Sequence, residues 1–158
     1  MIKGVEIKKL ITHQDKRGFF RELIRKSDNF SPSIFGQLSH SMVHKGIIKA
    51  WHLHKKQTDW LYVVLGDIKL VLYDWRKKSK THRKLAEILM GEKFGKKVVK
   101  IPPGVAHGYQ VINGPMHIIY LTDKEYNVKD ELRIPHNDST IGYNWEIKPK
   151  KNGSKKSL

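Results

Sequence analysis

Two stretches restrict the fold of this chain more than anything else in it. The first runs Gly46-Ile-Ile-Lys-Ala-Trp-His52-Leu-His54-Lys-Lys-Gln-Thr-Asp59-Trp-Leu-Tyr-Val-Val-Leu-Gly66, the second Ile101-Pro-Pro-Gly104-Val-Ala-His107-Gly-Tyr109. In a strand, residues i and i+2 face the same side. His52 and His54 are therefore expected to turn into one cavity. The Pro-Pro-Gly turn before His107 delivers a third imidazole from another strand. The two stretches together read as a site motif carried on strands.

The rest of the sequence agrees. Val5–Ile11 alternates in part, and Ile47–Trp51 leads into the histidines. Trp60–Leu65 is an apolar run closed by Gly66-Asp67, a hairpin signal, with Ile68–Asp74 expected to return in the other direction. Leu85–Met90 fits a strand or a short helix, and Val98–Ile101 ends at Pro102. Tyr109–Ile112 is expected to turn at Asn113-Gly114-Pro115 and continue as Met116–Leu121. Short strands at regular spacing argue for a sandwich or barrel.

At 158 residues, one domain over 1–147 is expected. Lys148–Leu158 has no apolar residue before its last position. It is expected to be a disordered basic tail. With no cysteine, disulfides and thiolate metal sites are excluded. No apolar run approaches membrane-spanning length and no signal-peptide pattern opens the chain, so a cytoplasmic protein without a membrane partner is expected. The formal charge of +16 attracts polyanions in general. A specific nucleic-acid reader needs a basic stripe with interleaved aromatics or a reading motif, and the sequence shows neither. A phosphate-bearing small substrate also suits a basic cleft.

The two histidine segments resemble the two motifs of the cupin superfamily. Gly46, His52, His54, position 59 and Gly66 fit the first, with Asp59 where glutamate is usual; Pro102, Gly104 and His107 fit the second. This implies an all-β, cupin-type double-stranded β-helix (a jelly-roll barrel) with few short helices. Nearly the whole chain is similar to the dTDP-4-dehydrorhamnose 3,5-epimerase family. Asp15-Lys-Arg17-Gly-Phe-Phe-Arg-Glu22, Gln37-Leu-Ser39-His-Ser41, Tyr73-Asp74-Trp-Arg76-Lys-Lys-Ser79, Ile101–Tyr109 and Asp138–Trp145 look like that family's motifs, in order.

The resemblance implies roles. His52 would remove a proton from the sugar carbon beside the ketone of a nucleoside-diphosphate 4-keto-6-deoxysugar. Tyr120 would return one from the opposite face. His107 would hydrogen-bond the sugar, Arg17, Glu22, Gln37 and Ser39 would line the nucleotide end, Tyr126 would stack near the base, and Glu131 matches a further binding carboxylate. Lys49 stands where the family has a phosphate-gripping arginine. The resemblance further implies epimerisation at C3, with C5 as a second centre, in deoxysugar or cell-surface polysaccharide biosynthesis. It implies no cofactor, and a homodimer in which the Arg-Gly-Phe-Phe segment crosses to the neighbour's site. Isomerisation of the keto group is a related reading.

Three departures open alternatives. Lys49 keeps charge but loses the guanidinium fork. Asp59 replaces a lysine that would stabilise an enolate, and a carboxylate there repels one. The family's aspartate after the closing tryptophan, which orients the base, has no counterpart after Trp145. Another carboxylate must then orient His52, or abstraction is weakened. His52, His54, Asp59 and His107 together also suit one divalent transition metal ion. A sugar-nucleotide-binding cupin that has lost catalysis is the third reading.

Overall fold

In the computed structural model, residues 1–146 are described; the expected basic tail lies outside them. Ten strands make up the regular structure of these residues: β1 Glu6–Lys9, β2 His13–Asp15, β3 Gly18–Phe20, β4 Gln37–Val43, β5 Ile48–His54, β6 Asp59–Asp74, β7 Leu85–Gly91, β8 Lys97–Ile101, β9 Val105–Thr122 and β10 Glu131–Arg133. Among the described residues there is no helix. The expected few short helices are replaced by turns, and Leu85–Met90 is strand.

Two long strands organise the barrel. β6 and β9 run antiparallel along nearly their whole lengths, from Asp59 against Thr122 to Asp74 against Val105. Their register shifts between Val63 and Ile68, where Asp67 stands opposite Asn113. Both strands are irregular there and exchange partners, within a single eight-stranded sheet. The first part of β6 pairs with β8 and the second with β7. Likewise β9 pairs first with β5 and later with β4. The hairpin expected at Gly66-Asp67 and the turn at Asn113–Pro115 are therefore bends within continuous strands. Gly66 makes the bend with φ of +80°, and a Cβ there would lie 2.5 Å from the Asn113 carbonyl.

Inward alternation along these strands builds the core. Leu61, Val63, Ile68, Leu70, Leu72, Val99, Ile101, Met116 and Ile118 pack together inside the barrel. A second cluster lies on the other face of β5, where Trp51 and Leu53 meet Val71, Tyr73, Ile141 and Trp145. Burying Trp51 and Leu53 there fixes the rotation of β5, so His52 and His54 must face the opposite way. Gly108 lets β5 close on β9, since a Cβ there would sit 2.3 Å from that of Ala50. β2 and β3 form a separate two-stranded sheet.

Candidate active site

One end of the barrel holds a cavity of about 250 Å³. Gln37, Ser39 and Ser41 enter it from alternate positions of β4, while the alternating Leu38, His40 and Met42 face solvent. Lys49, His52 and His54 come from β5, Asp59 and Leu61 from β6, and His107, Tyr109, Tyr120 and Thr122 from β9. Tyr126 and Glu131 close the rim. His52 and His107 are register partners, which sets their rings 6.1 Å apart. The His54 ring lies 6.0 Å from that of His107. The cavity thus collects Gln37, Ser39, Lys49, His52, His107, Tyr120, Tyr126 and Glu131, together with His54 and Asp59.

Glu131 sits where the sequence left a gap. Its Oε1 lies 2.7 Å from His52 Nδ1, and its Oε2 accepts from Arg133 Nε at 3.1 Å. Partial burial pushes Glu131 upward, but the His52 and Arg133 contacts outweigh it and hold the group below the usual glutamate range. It is therefore a carboxylate, and a carboxylate can only accept. His52 must donate from Nδ1, which leaves Nε2 as the nitrogen with a free lone pair. Glu131, matched to a binding carboxylate, lines the cavity and also holds the imidazole. β10 makes the contact possible by pairing with β5, Arg133 opposite His52 and Glu131 opposite His54.

Tyr120 and Tyr109 share a hydrogen bond of 2.9 Å between their hydroxyls. Burial, reinforced by Tyr109, pushes the Tyr120 hydroxyl far above the usual tyrosine range. It stays a neutral donor. At the rim, Gln37 donates to Ser39 Oγ at 2.7 Å and accepts from the Tyr126 backbone N–H at 3.0 Å.

The deep corner is different. His54 Nε2 and His107 Nε2 lie 3.7 and 3.4 Å from Asp59 Oδ2. Burial pushes Asp59 up to about 6, against the pull of His54 and Gln57. Burial pushes His107 down to about 3, so its ring is neutral. These three residues, and not the expected four, offer converging metal-ligand atoms. His52 is drawn aside by Glu131.

Arg17 and Glu22 do not reach this cavity within one chain. Arg17 lies on the β2–β3 hairpin, exposed and bonded to Asp15, and Glu22 pairs with Arg25. The hairpin makes its own small sheet and projects from the barrel, which is the physical reason. Sequence reasoning also missed three site residues: Tyr109, Gln57 and Asp130. Tyr109 was findable, being two residues beyond His107 on the same strand face. Gln57 and Asp130 lie in irregular segments and gave no periodic signal.

Comparison with known proteins agrees with this architecture. The family model described as dTDP-4-dehydrorhamnose 3,5-epimerase matches residues 1–158. The spore coat polysaccharide biosynthesis protein SpsL of Bacillus subtilis is 47% identical over 148 residues, covering 92% of this chain and 97% of that protein. The probable low-salt glycan biosynthesis epimerase of Haloferax volcanii is 34% identical over 149 residues, 91% of this chain and 94% of its own length. The crystal structure of a dTDP sugar isomerase from Desulfovibrio desulfuricans superposes with a TM-score of 0.85 at 27% identity, covering 91% of this chain and 92% of the other. The barrel is a cupin-type jelly roll, and the chain belongs to the dTDP-4-dehydrorhamnose 3,5-epimerase family of isomerases.

Proposed function

We propose that this protein epimerises a dTDP-linked 4-keto-6-deoxysugar at C3, with C5 as a second centre, for polysaccharide biosynthesis. The observation that carries the reading is the His52–Glu131 hydrogen bond, 2.7 Å long, at the mouth of a cavity that also holds Tyr120. His52 Nε2 takes the proton α to the ketone, and Glu131 holds the ring in the productive tautomer and supports the imidazolium that forms. Tyr120 returns a proton from the other side, its own hydroxyl held in line by Tyr109. These proton movements need no redox cofactor. His107, Gln37, Ser39 and Lys49 bind the sugar and phosphates, and Tyr126, 60% exposed at the rim, stacks near the base.

The reading includes a cytoplasmic homodimer. Phe19 and Phe20 on the β2–β3 hairpin are 65% and 63% exposed, an unusual display for two adjacent phenylalanines. A second copy would cover them and receive Arg17 and Glu22 at its nucleotide end. No helix among the described residues is long and apolar enough to cross a membrane. The test is incubation with dTDP-4-keto-6-deoxyglucose in heavy water, followed by NMR. Deuterium entering C3 or C5 supports the reading; binding without exchange contradicts it.

A further inference from the structure

We infer that His54, Asp59 and His107 form a site for one divalent first-row transition-metal cation, separate from the His52–Glu131 dyad. The ligand atoms of the three side chains lie within 4.8 Å of one another. Both Nε2 atoms address the same oxygen, Asp59 Oδ2, at 3.7 and 3.4 Å. Metal–donor bonds of about 2.0–2.2 Å set neighbouring donors roughly 3–3.6 Å apart, so small side-chain adjustments complete the set. Two imidazoles and one carboxylate with open positions is a recurrent arrangement for such cations.

The atoms facing away are arranged as supports. Asp59 Oδ1 accepts from Gln57 Nε2 at 2.7 Å, which leaves Oδ2 for another partner. His107 Nδ1 lies 3.3 Å from the Val105 carbonyl, so the proton belongs on Nδ1 and the lone pair on Nε2. His54 Nδ1 is buried with no hydrogen bond, and Asp130 Oδ2 stands 3.6 Å from it. A shift of a few tenths of an ångström would close that contact into the carboxylate–histidine support typical of metal ligands. One contact competes: Gln57 Nε2 also lies 3.4 Å from His54 Nε2 and must yield.

The electrostatics favour a cation. Asp59 is buried, and among the described residues its ion-pair partners are the two imidazoles rather than a lysine or arginine. Isolating a carboxylate from water is costly unless a positive charge joins it. Lys49 is the one lysine or arginine among the described cavity-lining residues. A divalent ion on two neutral imidazoles and one carboxylate leaves a net charge of about +1 facing the cavity. That charge would stabilise the enolate of the proposed epimerisation; this role rests on the functional reading, while the site itself does not.

The test uses untagged protein stripped with chelator and titrated with cobalt(II), followed by visible absorption and calorimetry. One saturable equivalent is expected. His54→Ala and Asp59→Asn should each weaken binding at least about 100-fold, and Asp130→Asn about 10-fold. His52→Asn should bind cobalt as the parent does. Thermal melts of each variant confirm folding. Absence of saturable binding to the folded parent overturns the site. So does cobalt retained by both His54→Ala and Asp59→Asn, which would assign it to surface histidines such as His40 and His117, 3.0 Å apart. Heavy-water exchange is run on stripped and reloaded protein. Exchange that rises at least tenfold on reloading supports the electrostatic role, and exchange indifferent to cobalt overturns that role. Cobalt binding with no exchange in either form contradicts the epimerase reading and leaves the site standing.

Discussion

His52 and His54 lie two residues apart on β5 and turn toward the same cavity, yet they meet different surroundings. The His52 side chain is 34% exposed and bonded to a carboxylate that Arg133 also holds. The His54 side chain is 11% exposed, has a ring nitrogen without a hydrogen bond, and shares the deep corner of the cavity with Asp59 and His107. A base must give up and regain a proton in contact with substrate, so it needs access and an anionic support. A ligand must keep its lone pair and exclude water. In the proposed reading one strand serves two chemistries, because Glu131 at the start of β10 stands beside the first histidine and Asp130, just before it, stands near the second.

The contrast can be broken from the His52 side first. His52→Asn should lower solvent exchange at the sugar carbon by about 10⁴-fold, with nucleotide binding kept; calorimetry with dTDP checks the latter. Tyr120→Phe should separate the two half-reactions. Inversion should fall about 10³-fold, while deuterium exchange with retention stays within about tenfold of the parent. Equal losses of both would remove Tyr120 from its place on the opposite face. Glu131→Gln keeps the size of the side chain but not its charge. A drop in kcat of about 10²-fold with KM little changed is expected, because the group acts through His52.

The deep corner makes a smaller and opposite prediction, read as stability. His107 is pushed down to about 3 from 6.5. Between those values the unfolded chain binds a proton that the fold excludes, so stability falls as pH drops through the window. Asp59 is pushed up to about 6 from 3.8. Over that range the fold binds the proton better, and its contribution falls as pH rises. In chelator-treated protein, Asp59→Asn should therefore raise the melting temperature at pH 7.5 by about 3–6 °C. It should also steepen the loss of stability between pH 6 and 4. A lower melting temperature at pH 7.5 would show that the buried carboxylate is stabilising as it stands.

Much of this arrangement was legible in the chain. The His-x-His spacing and the Pro-Pro-Gly turn sufficed to bring His52, His54 and His107 together, because strand alternation is strict. The bends were not legible. Gly66-Asp67 and Asn113-Gly114-Pro115 carry ordinary turn residues, and only the pairing of β6 with β9 distinguishes a bend from a reversal. The His52–Glu131 contact was hidden for another reason. It joins residues 79 apart through a strand of three residues, too short to show a period. Arg17 and Glu22 remain outside the cavity because the hairpin that carries Arg17 and leads into Glu22 pairs only with itself. No signal within one chain says where it docks.

The proton-transfer account stands or falls on wild-type protein incubated with dTDP-4-keto-6-deoxyglucose in heavy water and followed by proton NMR. It predicts loss of the C3 proton signal on a catalytic time scale and the appearance of an inverted sugar, both absent with His52→Asn. Retention of every sugar proton by a protein that binds the nucleotide sugar, or exchange that persists undiminished in His52→Asn, would contradict it.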